Sequence, residues 1–119
     1  MQLLEFQAKQ MLNLAGLPIP LGVVTSTGEG LPEVALPVVV KSQVPVGGRG
    51  KLGGVKLVRD QQGLEEAIAT ISSLEIKGHT PECLLVEEAL DIENELYISL
   101  QVNRDEREVT WMASGEGGT

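Results

Sequence analysis

Aromatic residues are nearly missing from this chain: Phe6, Tyr97 and Trp111 are the only three in 119 residues. Any core must therefore be aliphatic, and stacking platforms for single-stranded nucleic acid are not available in number. Cysteine is represented by Cys83 alone, so no internal disulfide and no CxxC metal or redox pair can form. No segment has the charged start and apolar centre of a secretory signal, and the expectation is a reducing, cytosolic setting. The single histidine, His79, has neither metal-ligand nor triad companions at a recognisable spacing and reads as a surface-loop residue. Long apolar runs are also lacking, so no membrane span is expected, and there are no repeats or low-complexity tracts. Positive charge is the minority sign. A formal net charge of -8 repels a polyphosphate backbone and disfavours nucleic acid as the main partner.

What positive charge there is gathers in one place. From Val34 to Arg59 there is no Asp or Glu, yet the stretch holds Lys41, Arg49, Lys51, Lys56 and Arg59, five of the nine basic residues. At its centre VVVKSQVPVGGRGKLGGVKLV, residues 38–58, sets a glycine-rich loop between two strand-like runs. The loop satisfies G-x-G-x-x-G literally at Gly48, Gly50 and Gly53, but a dinucleotide fingerprint must open a helix and Gly54 leads into the strand-like VKLV. A P-loop is excluded as well, because Pro45 stands where the first glycine belongs and Leu52 where the hydroxyl residue belongs. The remaining reading is a hairpin lid whose backbone N–H groups can close over phosphates.

Hydropathy patterning supplies the other elements. Leu4, Ala8, Met11 and Ala15 fall at helical spacing over residues 2–16, with Gly16 and Pro18 as stop signals, and predict an amphipathic helix. Residues 21–27 predict a short strand, and residues 28–37 a loop. A second helix is expected after Asp60, carried by Leu64, Ala67, Ile68, Ile71 and Leu74. CLLVEEAL (83–90), ELYISLQVN (95–103) and EVTWMAS (108–114) read as three further strands, the last two joined by a polar turn. One 119-residue domain of fold class α+β follows, with 42% hydrophobic residues sufficient for an ordinary core. The glycine-rich SGEGGT at the end reads as the start of a turn toward further chain, as in a truncated piece of a longer protein.

Lys41 is unusual inside an apolar strand, because an ammonium taken out of water needs a partner. A phosphate would supply one; an edge position with a snorkelling side chain is the bland alternative. Gly47, Gly48, Gly50, Gly53 and Gly54, with Arg49 and Lys51, favour an anion site. Glu87 and Glu88 end an apolar strand, either as a nucleotide-binding hinge or as an exposed strand end. Glu95 reads as a ribose-binding carboxylate or as a solvated turn residue. Cys83 reads as a small core residue rather than a nucleophile.

Taken in order, LLEFQAKQMLNLAGLPIPLG, the lysine strand and glycine loop, LLVEEALDIENELYISL and MASGEGG resemble the N-terminal part of the β subunit of succinyl-CoA synthetase, the ADP-forming succinate-CoA ligase. The resemblance covers essentially the whole chain. It implies an ATP-grasp fold of which only the nucleotide-binding part is present: about 21–95 as the first subdomain, 1–20 and 96–119 as the beginning of the second, and the CoA ligase domain absent. It further implies that Lys41 contacts the phosphates of ATP, that Gly48, Arg49 and Gly50 form the covering loop, that Glu87 and Leu90 form the adenine hinge mainly through backbone, and that Glu95 reaches the ribose. Pro45 stands where the family commonly has histidine, and Leu90 where it has a small or hydroxyl residue. The family's magnesium ligands fall outside these residues, so magnesium belongs to the parent protein and the 119 residues alone are expected to be inactive.

The partners implied are the α subunit, which carries the phosphorylated histidine, with succinate and CoA as parent substrates. The implied location is the cytoplasm, or the mitochondrial matrix in a eukaryote. Two alternatives stay open: another ATP-grasp acid-CoA ligase, such as a malate-CoA ligase or a citrate-cleaving relative, and a noncatalytic nucleotide-binding or subunit-interaction module.

Overall fold

A computed structural model describes residues 2–118. The elements run α1 (Glu5–Leu14), β1 (Gly22–Ser26), β2 (Val38–Ser42), β3 (Val55–Val58), α2 (Gln61–Ser72), β4 (Cys83–Glu88), β5 (Tyr97–Asn103) and β6 (Glu108–Ser114). The α+β expectation is met, with two helices and two sheets. Strands β1–β4 form an antiparallel sheet in the order β1-β4-β2-β3, and β5 pairs with β6 in a separate ribbon.

Alternation along β2 and β4 makes the four-stranded sheet two-sided. Val40 stands opposite Val86 and Ser42 opposite Leu84, and these residues face α2. Val39 opposite Glu87 and Lys41 opposite Leu85 point to the other side. The core is aliphatic, as the scarcity of rings requires: Val38, Val40, Val58, Leu64, Ala67, Ile71, Leu84 and Val86 pack together with Ile68 against them. Helix α2 begins where the Asp60 carboxylate accepts a hydrogen bond from the Gly63 amide at 2.6 Å. It ends two residues before Leu74, which lies outside the helix and against Gly53 instead.

Helix α1 departs from the expected amphipathic packing. It starts with the Gln7 carbonyl accepting from the Leu4 amide at 2.8 Å, but none of its residues is buried and Met11 is 59% exposed. The helix lies over the sheet face away from α2, across a 90 Å³ cavity lined by Phe6, Lys9, Val24, Leu85 and Glu87 among others. Polar groups hold it there, as described below. Cys83 also departs from expectation: it opens β4 half-buried rather than in the core, and burial together with the Glu82 charge pushes its thiol pKa up. His79 is exposed, as expected, with its backbone paired to Ile76 across a turn.

Candidate nucleotide site

Strands β2 and β3 pair from Val38–Val58 to Lys41–Val55, so the glycine loop spans residues 43–54 between adjacent antiparallel strands, as the sequence predicts. The loop closes on itself: the Ser42 amide donates to the Gly54 carbonyl and the Gly54 amide to the Arg49 carbonyl, both at 2.7 Å. Glycine is required at Gly53, whose φ is +85°, and at two further positions. Gly48 has φ +75°, in the left-handed region, and a Cβ at Gly54 would stand 2.6 Å from the Ile76 side chain. A side chain at Gly50 would meet open space. Residues 44–51 and Val55, with Gln2 and Leu3, surround an open cleft of about 620 Å³, large enough for a nucleotide-sized ligand.

Lys41 points to the sheet face covered by α1, and it is neither free nor merely snorkelling. Its ammonium donates to Glu5 Oε1 at 3.0 Å and to Glu87 Oε1. Glu5 Oε2 accepts from Arg49 Nη2 at 2.6 Å, while Arg49 Nη1 donates to the Ser42 carbonyl at 2.7 Å. Lys9, one turn beyond Glu5 on α1, reaches both Glu87 oxygens at 2.7 Å and Glu5 at 3.0 Å. Three cations and two carboxylates thus form one continuous network joining α1, β2, the glycine loop and β4. Burial would raise the Glu5 pKa, but hydrogen bonds from Arg49, Lys41 and Lys9 and the Lys41 charge outweigh it and hold the carboxyl at about 2. For Lys41 burial lowers the pKa, and Glu87 with Glu5 outweigh it, so the ammonium is held above its ordinary value.

Glu87 is 4% exposed, which removes the exposed-strand-end reading of this residue. Gly22 makes room for it: a Cβ there would stand 2.8 Å from the Glu87 Cβ, so β1 can approach β4 at this point only with glycine. Beyond Glu87 the chain is pinned by its backbone, the Glu88 amide donating to the Leu21 carbonyl at 2.7 Å and the Ala89 amide to the Pro37 carbonyl at 3.1 Å. The next residue, Leu90, is 55% exposed. Glu95 lies near the chain end, where a Cβ at Gly117 would come within 3.0 Å of Glu95 Oε2.

Of the seven residues singled out from sequence, Lys41, Arg49 and Glu87 are brought into one network, with Gly48 and Gly50 flanking Arg49. Leu90 and Glu95 stand apart from it. Glu5 and Lys9 were missed. The available signal was their spacing, a carboxylate and an ammonium one helical turn apart near a strand lysine that lacked a partner.

A family model for the ATP-grasp domain matches residues 2–119. This chain belongs to the ATP-grasp family. Among curated proteins, the chain is 46% identical over 122 aligned residues to the succinate-CoA ligase (ADP-forming) subunit beta of Ignicoccus hospitalis, covering 99% of this chain and 32% of that protein. The same-named subunit of Halobacterium salinarum is 42% identical, and that of Chloroflexus aggregans 43%, with the same coverage. The chain therefore spans about a third of the length of these relatives. Among solved structures, the dinucleotide forming acetyl-coenzyme A synthetase 1 of Ca. Korarchaeum cryptofilum, in complex with coenzyme A, Ca-AMPCP and HgCl+, aligns with a TM-score of 0.64. That alignment covers 95% of this chain and 54% of the other at 24% identity, and it supports the fold. Among the described residues no helix is long and apolar enough to cross a membrane.

Proposed function

We propose that this chain is the ATP-binding N-terminal part of an ADP-forming succinate-CoA ligase β subunit, the enzyme that converts succinate, CoA and ATP to succinyl-CoA, ADP and phosphate with an α-subunit partner. The observation that carries the reading is the convergence of Lys41 and Arg49, from a strand and a glycine loop, on a single carboxylate beside an open cleft. Two cations that meet on one anion of this chain are placed to meet on a phosphate. The names of the relatives support the choice of succinate-CoA ligase over other acid-CoA ligases.

In this reading ATP fits the donors present. The phosphates take Lys41 and Arg49, with the Gly48 and Gly50 backbone closing over them. The strand end from Glu87 to Leu90 meets the adenine through backbone, in keeping with Glu88 and Ala89 being fixed by Leu21 and Pro37. Glu95 reaches the ribose from the end of a first subdomain of about 21–95, next to the beginning of a second subdomain formed by residues 1–20 and 96–119. Among the described residues no group of three His, Cys, Asp or Glu side chains is arranged to hold a metal, and in this reading magnesium would come in with the phosphates of ATP and take its protein ligands from the parent protein. The chain's own contribution is to hold and orient the triphosphate, which is most of what phosphoryl transfer asks of a protein.

The test is an ATP titration of the ¹⁵N-labelled chain. The largest amide shifts are expected in residues 47–54 of the glycine loop. Largest shifts in residues 75–82 would refute the site.

A further inference from the structure

The two carboxylates that hold Lys41 are not equivalent. Glu87 is buried on a central strand, its side chain 5% exposed, and Lys9 grips both of its oxygens. Glu5 is the more accessible of the two, at 20%, and it rides on α1, a helix with no buried residue. Outside the ion network, the bond that ties the start of α1 to the sheet is the Phe6 amide donating to Gln43 Oε1 at 3.0 Å. Nothing in the aliphatic core resists movement of this helix.

We propose that Glu5 is an affinity-setting residue, an internal anion seated between Lys41 and Arg49 in the place a nucleotide phosphate takes, and that it leaves when nucleotide binds. Its two oxygens bridge the two cations at 3.0 and 2.6 Å, the geometry in which two phosphate oxygens would be held. Glu5 and a phosphate cannot share those cations without like-charge repulsion in a half-buried site, where water screens poorly. Glu87 is fixed and Glu5 is carried by the loosely packed element, so Glu5 is the group that yields. Lys41 keeps Glu87 throughout, which prevents the ammonium from turning to solvent. Nucleotide binding is thereby coupled to loosening of the Glu5 end of α1 from the sheet face, with the Lys9–Glu87 pair as the tether that remains.

This inference rests on the nucleotide reading of the site, and the test separates the two. ATP affinity is to be measured by calorimetry on the intact protein carrying this chain, as wild type, Glu5→Gln and Lys41→Met. Hydrogen exchange of residues 5–14 is to be followed with and without ATP. The expected result is roughly five- to twentyfold tighter ATP binding for Glu5→Gln, since an exposed ion pair contributes little and a desolvated one much more. In the wild type, α1 amides are expected to exchange faster when ATP is bound.

Binding by Glu5→Gln that is equal to or weaker than wild type, with Lys41→Met still impaired, would make Glu5 a scaffold and overturn the proposal while leaving the nucleotide site standing. If wild type binds no ATP, both readings fall together. Should Glu5→Gln not fold, the wild-type exchange decides alone: slower or unchanged exchange of α1 with ATP overturns the proposal.

Discussion

The two faces of the four-stranded sheet are made by alternate residues of the same strands and do opposite work. On the α2 side Val38, Val40, Leu84 and Val86 are buried against Leu64, Ala67 and Ile71. On the α1 side the neighbouring positions Lys41 and Glu87 carry charge, under a helix none of whose own residues is buried. One face supplies the hydrophobic burial that makes the sheet rigid; the other spends that rigidity on holding ionised groups out of water. A buried ion network is weak evidence for stability and better evidence for a role, because an aliphatic replacement would hold the sheet at least as well.

The strongest way to break this contrast is to damage the apolar face. Leu64→Ala removes a fully buried side chain from the centre of the α2 contact and is expected to cost about 2–5 kcal/mol, measured by urea denaturation. Nucleotide binding should then fail only with the fold. A variant that loses under 1 kcal/mol (about the least expected for a core truncation) would show that α2 is not the stabilising layer.

Damage to the charged face should do the reverse. Lys41→Met keeps most of the aliphatic stem and removes the ammonium, leaving Arg49 on Glu5 and Lys9 on Glu87. ATP affinity is expected to drop roughly ten- to a hundredfold, or about 1.5–3 kcal/mol, with the circular dichroism spectrum unchanged. Calorimetry giving equal affinity for variant and wild type would remove Lys41 from the phosphate site.

Acid titrates the same face. The Glu5 carboxyl is held at about 2 against an ordinary 4.5, so its ionised form is favoured by the folded state. Its contribution to stability is fully present above pH 4.5 and is lost as pH falls from 4.5 toward 2. The wild type should lose stability through that window more steeply than Glu5→Gln, as read by thermal melts at successive pH values. Parallel pH profiles would mean that the Glu5 ion pairs contribute nothing net.

The contrast also explains which parts were legible in the sequence. The apolar face wrote itself as periodicity: Leu64, Ala67 and Ile71 repeat at helical steps, and the strands of the glycine hairpin pair as expected. Lys41 was conspicuous because it interrupts that pattern. Its partners were not legible, since Glu5 and Glu87 lie 36 and 46 residues away and meet it only through the folded sheet. Glu5 and Lys9 show locally only as a charged pair one helical turn apart, which does not say what else they reach. Helix α1 misled for the same reason: its apolar spacing is real, but the contacts that place it are ionic.

A third surface sharpens the comparison with the smallest expected effect. The β5–β6 ribbon has one apolar side, where Ile98 faces Ala113, Leu100 faces Trp111 and Val102 faces Val109, while the other side mixes Tyr97 and Met112 with Ser99, Gln101 and Thr110. Yet the apolar side covers nothing among the described residues, and Trp111 is 72% exposed. An isolated two-stranded ribbon has little stability of its own, and a ring left in water contributes little burial. Trp111→Ser is therefore expected to change the stability of the 119-residue chain by no more than about 0.5 kcal/mol. Denaturation of both proteins over a range of concentrations checks this. A loss above 1 kcal/mol (about twice the expected ceiling) that grows with concentration would show that Trp111 is covered by another copy of the chain. A concentration-independent loss of that size would show that the ribbon folds back onto the sheet. Either result would give the ribbon a share in stability that this structure assigns to the α2 face.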